Sequence, residues 1–163
     1  MAPDIATGVR EARDEDAPRV LEIIGAAFAQ YEGCVLELTE VPELLRPASY
    51  VRPSGGRFWV ATRQDDVVGF AVLGISDEPE TVELKKLYAH PRLHGTGVGR
   101  VLLTRFEAEA RALGARRICL WTDTRFLRAH GFYERYGYVR LGQTRELHDA
   151  SNSVEYNYQK VLS

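Results

Sequence analysis

Three glycines at alternate positions, Gly95, Gly97 and Gly99, follow a strand-like run and precede an amphipathic one. The stretch 84–103 reads as an apolar-patterned strand, a turn marked by Pro91, the glycine turn, and a helix opening near Val98. Such a helix start offers N–H groups without intrahelical partners, together with the positive end of the macrodipole, to an anion. Glycine lets that anion approach without meeting a Cβ. The chemistry implied is phosphate binding on a strand–loop–helix. The spacing narrows the ligand. A dinucleotide fingerprint needs GxGxxG, and this loop is one residue short and lies mid-chain, although Asp123 falls near the place of a ribose-binding acid. A nucleoside-triphosphate loop ends in Gly-Lys-Ser/Thr, whereas Gly99 is followed by Arg100 and Val101.

The spacing resembles the Arg/Gln-x-x-Gly-x-Gly/Ala signature of the GNAT N-acetyltransferase family, whose members hold the pyrophosphate of acetyl-coenzyme A on this turn. Two registers fit. Arg92, Gly95 and Gly97 satisfy the signature literally. His94, Gly97 and Gly99 fit the commoner layout, which puts Val98, Val101 and Leu102 on the buried helix face, and this register is preferred. His94 then stands where the family has Arg or Gln, and a histidine there titrates near neutrality. The resemblance implies coenzyme contacts from His94, Gly95, Thr96, Gly97, Val98, Gly99 and Arg100. It also implies that the backbone of Leu87, Tyr88 and Ala89 serves the pantetheine arm and the thioester oxygen, because the family's central strands splay here.

Residues 126–138 resemble a second family motif, Asn-x-x-Ala-x-x-Phe-Tyr-x-x-x-Gly-Phe, matched by Ala129, Phe132, Tyr133 and Gly137. Phe126 replaces the motif's asparagine. Acetyl transfer needs a neutral amine, a stabilised carbonyl oxygen and a departing sulfur. An alkyl amine of pKa about 10.4 is neutral in roughly one molecule per thousand at pH 7, so a base or water relay matters. A thiol near 8.5 can take its proton from a tyrosine near 10 at little cost. Helical spacing alone makes Tyr133 one more packing aromatic; the motif makes it the candidate acid. Glu83 coincides with the strand carboxylate that protein-acetylating relatives use as base, with a solvated or Lys-paired glutamate as the plainer reading. Asp123 is the second candidate base.

Other groups carry less. His90 and His94 are four apart, but Pro91 prevents a helix and no third ligand is evident, so no metal is expected. Residues 30–43 hold Glu32, Glu37, Glu40 and Glu43 without Lys or Arg. They read first as a solvated acidic face and second as one lip of a cleft for a cationic amine, residues 150–156 forming the other. Neither Cys34 nor Cys119 falls in a motif for a covalent intermediate, so attack from a ternary complex is expected.

The elements that must position these groups follow from pattern. Strands are expected at 8–11, 58–62, 67–75, 82–89, 117–122, 138–146 and 154–162. Helices are expected from Pro18 to Phe28, around 41–45, over 98–113 and over 126–136. This order is α/β, and it is also the family's order: a mixed, mostly antiparallel sheet of about seven strands with helices on its faces and a splayed central pair. Residues 1–163 form one expected domain. A hydrophobic content of 45%, a charged content of 27% and a net charge of −2 describe a globular chain and argue against nucleic acid as a partner. The absence of long apolar runs argues against a leader or a membrane span, and two cysteines suit a reduced, cytoplasmic setting. The expected partner is a small-molecule or peptide amine; dimers are frequent in the family. Two competitors remain: a non-catalytic acyl-coenzyme A sensor and a nucleotide-binding module.

Overall fold

Strand β3 (Asp66–Ile75) has eight consecutive buried residues, the mark of a strand covered on both faces. The computed structural model, which describes residues 7–163, shows why. Helix α1 (Ala17–Phe28) buries Val20, Ile23, Ile24 and Ala27 at helical spacing. With Leu44 of the short helix α2 (Pro42–Leu45), they cover Phe70 and Val72 together with Phe58 and Val60 of β2 (Arg57–Arg63). Helix α4 (Val98–Ala112) buries Val98, Leu102, Leu103, Phe106 and Ala110 against the alternate residues Trp59, Ala61, Ala71 and Leu73 on the other face. Each buried Val, Leu, Ile or Phe side chain among them contributes about 1.5–3 kcal/mol. A left-handed Gly114, φ +82°, follows the end of α4.

The remaining strands are β1 (Gly8–Glu11), β4 (Thr81–Ala89), β5 (Arg117–Asp123), β6 (Val139–Glu146) and β7 (Val154–Val161), and the sheet order is β1-β2-β3-β4-β5-β7-β6. All neighbours are antiparallel except β4 and β5. That parallel pair is zipped only at Thr81, Val82 and Glu83, opposite Arg117, Ile118 and Cys119. Beyond Glu83 the strands part, as the splayed pair required.

A bulge on β4 then turns side chains. Val72 pairs with Lys86 and Leu73 with Leu84, so Lys85 is an extra residue. Leu84 and Leu87 consequently both pack on the α4 side, while Tyr88 joins the α1 side. Lys86 turns the same way and pairs with Glu43 of α2.

Two expectations need correction. The segment after residue 41 forms two short helices rather than one, α2 and α3 (Pro47–Val51), each opening on a proline whose missing N–H is harmless there. Strand β6, whose alternating apolar and polar residues suggest one buried face, has none: it is an edge strand, and all eight of its residues are exposed. Helix α5 (Leu127–Arg135) lies between β5 and β6 in the chain, matching the expected helix to within one residue at each end.

Candidate active site

A cleft of about 890 Å³ opens where β4 and β5 part, and its lining starts at Leu84 on β4. At one end stands the start of α4. The first bond of the helix runs from the Val101 N–H to the Gly97 carbonyl (3.1 Å), leaving the N–H groups of Val98, Gly99 and Arg100 without helical acceptors. Thr96 is already used: its N–H and its hydroxyl both donate to the Leu93 carbonyl, at 3.2 and 2.6 Å. Gly95 and Gly97 have φ of +79° and +92°, conformations that disfavour any side chain. Gly99 does a different job. A Cβ there would stand 3.3 Å from the Phe132 ring, so this glycine lets α4 and α5 approach.

The same end is cationic, with Arg100, Arg128 and Arg135 lining the cleft beside His94. Burial, helped by Arg128 and His90, holds the His94 imidazole below its ordinary range and favours the neutral form. His90 turns back into its own loop, where its Nδ1 accepts from the Arg92 N–H at 3.3 Å. Among the described residues, no three His, Cys, Asp or Glu side chains converge as metal ligands. Nor, among them, is any helix long and apolar enough to cross a membrane.

Tyr133 lies midway, its ring packed on Phe132, Tyr138 and Tyr158. It lines the cleft, and burial raises its phenol above the ordinary range, keeping the proton on the oxygen. Leu87, Tyr88 and Ala89 line the facing wall. The structure therefore brings Tyr133, residues 87–89 and the glycine turn onto one cleft.

Glu83 is not on that cleft. It is the last zipped residue of the parallel pair, opposite Cys119, one position below the point of parting. Its charge, after burial, helps push the Cys119 thiol up to about 11. Asp123 does line the cleft, but Arg125 donates to both of its oxygens, at 2.9 and 2.7 Å. Burial works to raise this carboxyl; the Arg125 bonds outweigh it and hold it below the usual carboxylate range.

The carboxylate that pattern reading placed only in a lip is Glu155. It sits on β7 directly opposite Asp123 and lines the cleft. Its Oε1 accepts from Arg145 Nε at 2.7 Å, and among the described residues its Oε2 has no partner. Burial raises it, Arg145 pulls it back, and nearby Asp123 and Asp149 add to the rise. The Arg145 guanidinium also lies 4.3 Å over the Trp121 ring, which forms part of the cleft floor.

The acidic segment is a lip in part. Glu37 and Glu40 line the cleft with Asp149, whereas Glu43 is spent on Lys86. Phe126, in place of the motif's asparagine, brings a ring instead of an amide, its centroid 4.8 Å from that of Tyr31, just past the end of α1. Arg125 carries no signal in the sequence. It sits two residues past Asp123, but its bonds to the Ser151 carbonyl (3.0 Å) and the Glu32 carbonyl (3.5 Å) span 26 and 93 residues. No short-range pattern encodes such contacts.

Residues 17–138 match the model of the acetyltransferase (GNAT) family. The Xenopus tropicalis protein named Probable N-acetyltransferase 14 is 35% identical over 82% of this chain and 87% of its own length. The N-acetylaspartate synthetase of Danio rerio is 30% identical over 71% of this chain, which spans only 40% of that protein. Among solved structures, the PaiA N-acetyltransferase from Thermoplasma acidophilum, in complex with coenzyme A, aligns with a TM-score of 0.70 at 18% identity. That alignment covers 96% of this chain and 99% of the other.

Proposed function

Because the chain belongs to the GNAT acetyltransferase family, we propose that it transfers the acetyl group of acetyl-coenzyme A to a primary amine by direct attack in a ternary complex. The observation that carries this reading is one continuous cleft with free helix N–H groups and arginines at one end, a buried tyrosine in the middle and carboxylates at the other.

The coenzyme's pyrophosphate takes the N–H groups of Val98, Gly99 and Arg100, with the α4 macrodipole adding attraction. Arg100, Arg128, Arg135 and a neutral His94 complete the anionic end. The pantetheine arm lies along residues 87–89, whose backbone is unpaired on the side where β5 has parted. The amine enters from the carboxylate end. Glu155 takes its proton directly through the free Oε2, and Glu83, below the point of parting, acts only through water. The amine nitrogen attacks the thioester carbonyl, the C–S bond breaks, the departing thiolate takes the Tyr133 proton, and the second proton of the acetylated nitrogen returns to the Tyr133 oxygen. Burial keeps the phenol un-ionised before this exchange and disfavours a lasting phenolate, so the two transfers are coupled.

Release of coenzyme A thiol from acetyl-coenzyme A, followed across polyamines, aminoglycosides, amino acids, aryl amines and peptides, tests the proposal. A signal confined to one group supports catalysis. Tight coenzyme binding with no turnover on any amine supports the sensor instead.

A further inference from the structure

The acceptor end of the cleft is roofed. Its floor includes Trp121 of β5 and residues 84–86 of β4, and its two lips are the segment after α1 and the turn between β6 and β7. Those lips are fastened to each other. The Val35 N–H donates to Ser151 Oγ at 2.7 Å, and the same hydroxyl donates to the Val35 carbonyl at 3.1 Å. Nearby, the Ala150 N–H donates to Glu40 at 2.9 Å. Arg125 secures both lips from below through the Glu32 and Ser151 carbonyls, and is itself locked on Asp123. Ser151 is only 8% exposed, so the hydroxyl bridge is shielded from competing water. Both Val35 and Ser151 line the cleft, so the bridge joins its two lips at the acceptor end.

We infer that the acceptor is a slender free amine that threads end-on beneath the Val35–Ser151 bridge, and not a lysine within a polypeptide. A lysine in mid-chain carries backbone on both sides, which must lie along an open groove; here the bridge crosses where that backbone would run. An unbranched aliphatic amine needs no such groove. Glu37, Glu40, Asp149 and Glu155 all line the cleft, which keeps an entering cation among carboxylates until it is deprotonated. This inference rests on the proposed acetyl transfer and names its substrate class.

Binding, which needs no turnover, tests it. One probe joins coenzyme A through an acetyl bridge to 1,4-diaminobutane; the other joins it through the same bridge to a lysine side chain in the middle of a flexible peptide. Calorimetry on the full chain is expected to give the diamine conjugate an affinity about tenfold above that of coenzyme A, and the peptide conjugate no gain. Ser151→Ala, which removes both bridge bonds, is expected to raise affinity for the peptide conjugate about threefold or more. A peptide conjugate that binds the wild-type protein as tightly as the diamine conjugate overturns the inference while leaving the proposed function standing. Failure of coenzyme A itself to bind removes the proposed function, and this inference with it.

Discussion

Gly69 of β3 lies directly beneath Val98, the first residue of α4: a Cβ on Gly69 would stand 2.8 Å from Val98 Cγ1 and 2.9 Å from the Tyr88 carbonyl oxygen. The start of α4, where the coenzyme's pyrophosphate is proposed to bind, is thus seated on a glycine of a different element. Gly69→Ala should lift the start of α4 or strain β4, at a cost of about 1–3 kcal/mol. We expect a lower melting temperature and weaker coenzyme A binding together. Unchanged values in both thermal melting and calorimetry would show that α4 does not depend on this seat.

Tyr133→Phe keeps the ring that packs on Phe132, Tyr138 and Tyr158 and deletes only the hydroxyl. Loss of the proton donor should lower kcat about 100-fold, with KM for acetyl-coenzyme A changed by less than about twofold. Steady-state kinetics decide it. A loss confined to KM would make the hydroxyl a binding group.

Glu155 must be ionised to accept a proton, and its carboxyl lies above the usual range, first because of burial. Activity on the amine should therefore fall as pH drops through that raised pKa. Glu155→Gln should lower kcat/KM about 100-fold and abolish this acid limb of the profile. Glu83→Gln, at a position that acts through water, should leave the limb in place. An acid limb that survives Glu155→Gln but is lost in Glu83→Gln would reverse the two roles.

Asp123 behaves oppositely. Its folded carboxyl lies below the ordinary value of about 3.9, because the Arg125 bonds overcome the burial that would raise it. The stability it contributes is present above that ordinary value and is lost as pH falls through the lowered folded pKa. Asp123→Asn should cost about 2 kcal/mol at pH 7. Melting curves of wild type and variant should converge in acid. A constant gap at every pH would mean that the effect is steric.

Much of this was legible in the residues. Unbroken apolar runs in β2 and β3 mark strands covered on both faces, the helical spacing in α1 and α4 marks their buried faces, and local glycine and proline chemistry marks the turns. The glycine turn and the Phe132–Tyr133 pair were readable because their spacing is local. Glu83 illustrates the limit: counting along the strand says nothing of how far β4 and β5 stay zipped, and the cleft starts one residue later. The extra residue at Lys85 is equally silent, since a bulge depends on the pairing partner. The same holds for β6, whose apolar residues look half-buried until its position at the rim of the sheet is known. Arg125 and Ser151 act across 26 to 116 residues, beyond the reach of any periodicity.

The three-residue zip between β4 and β5 has a cost. Backbone from residues 84–89 and 120–123 faces a gap, so the chain carries, in its own interior, the kind of unpaired strand template that other sheets keep covered. A foreign strand offers such a template the same amide groups that a pantetheine arm would. In the proposed function, the co-substrate then does more than deliver acetyl: by occupying the gap it guards the protein against aggregation, and the unliganded form is the one that should clump first on heating.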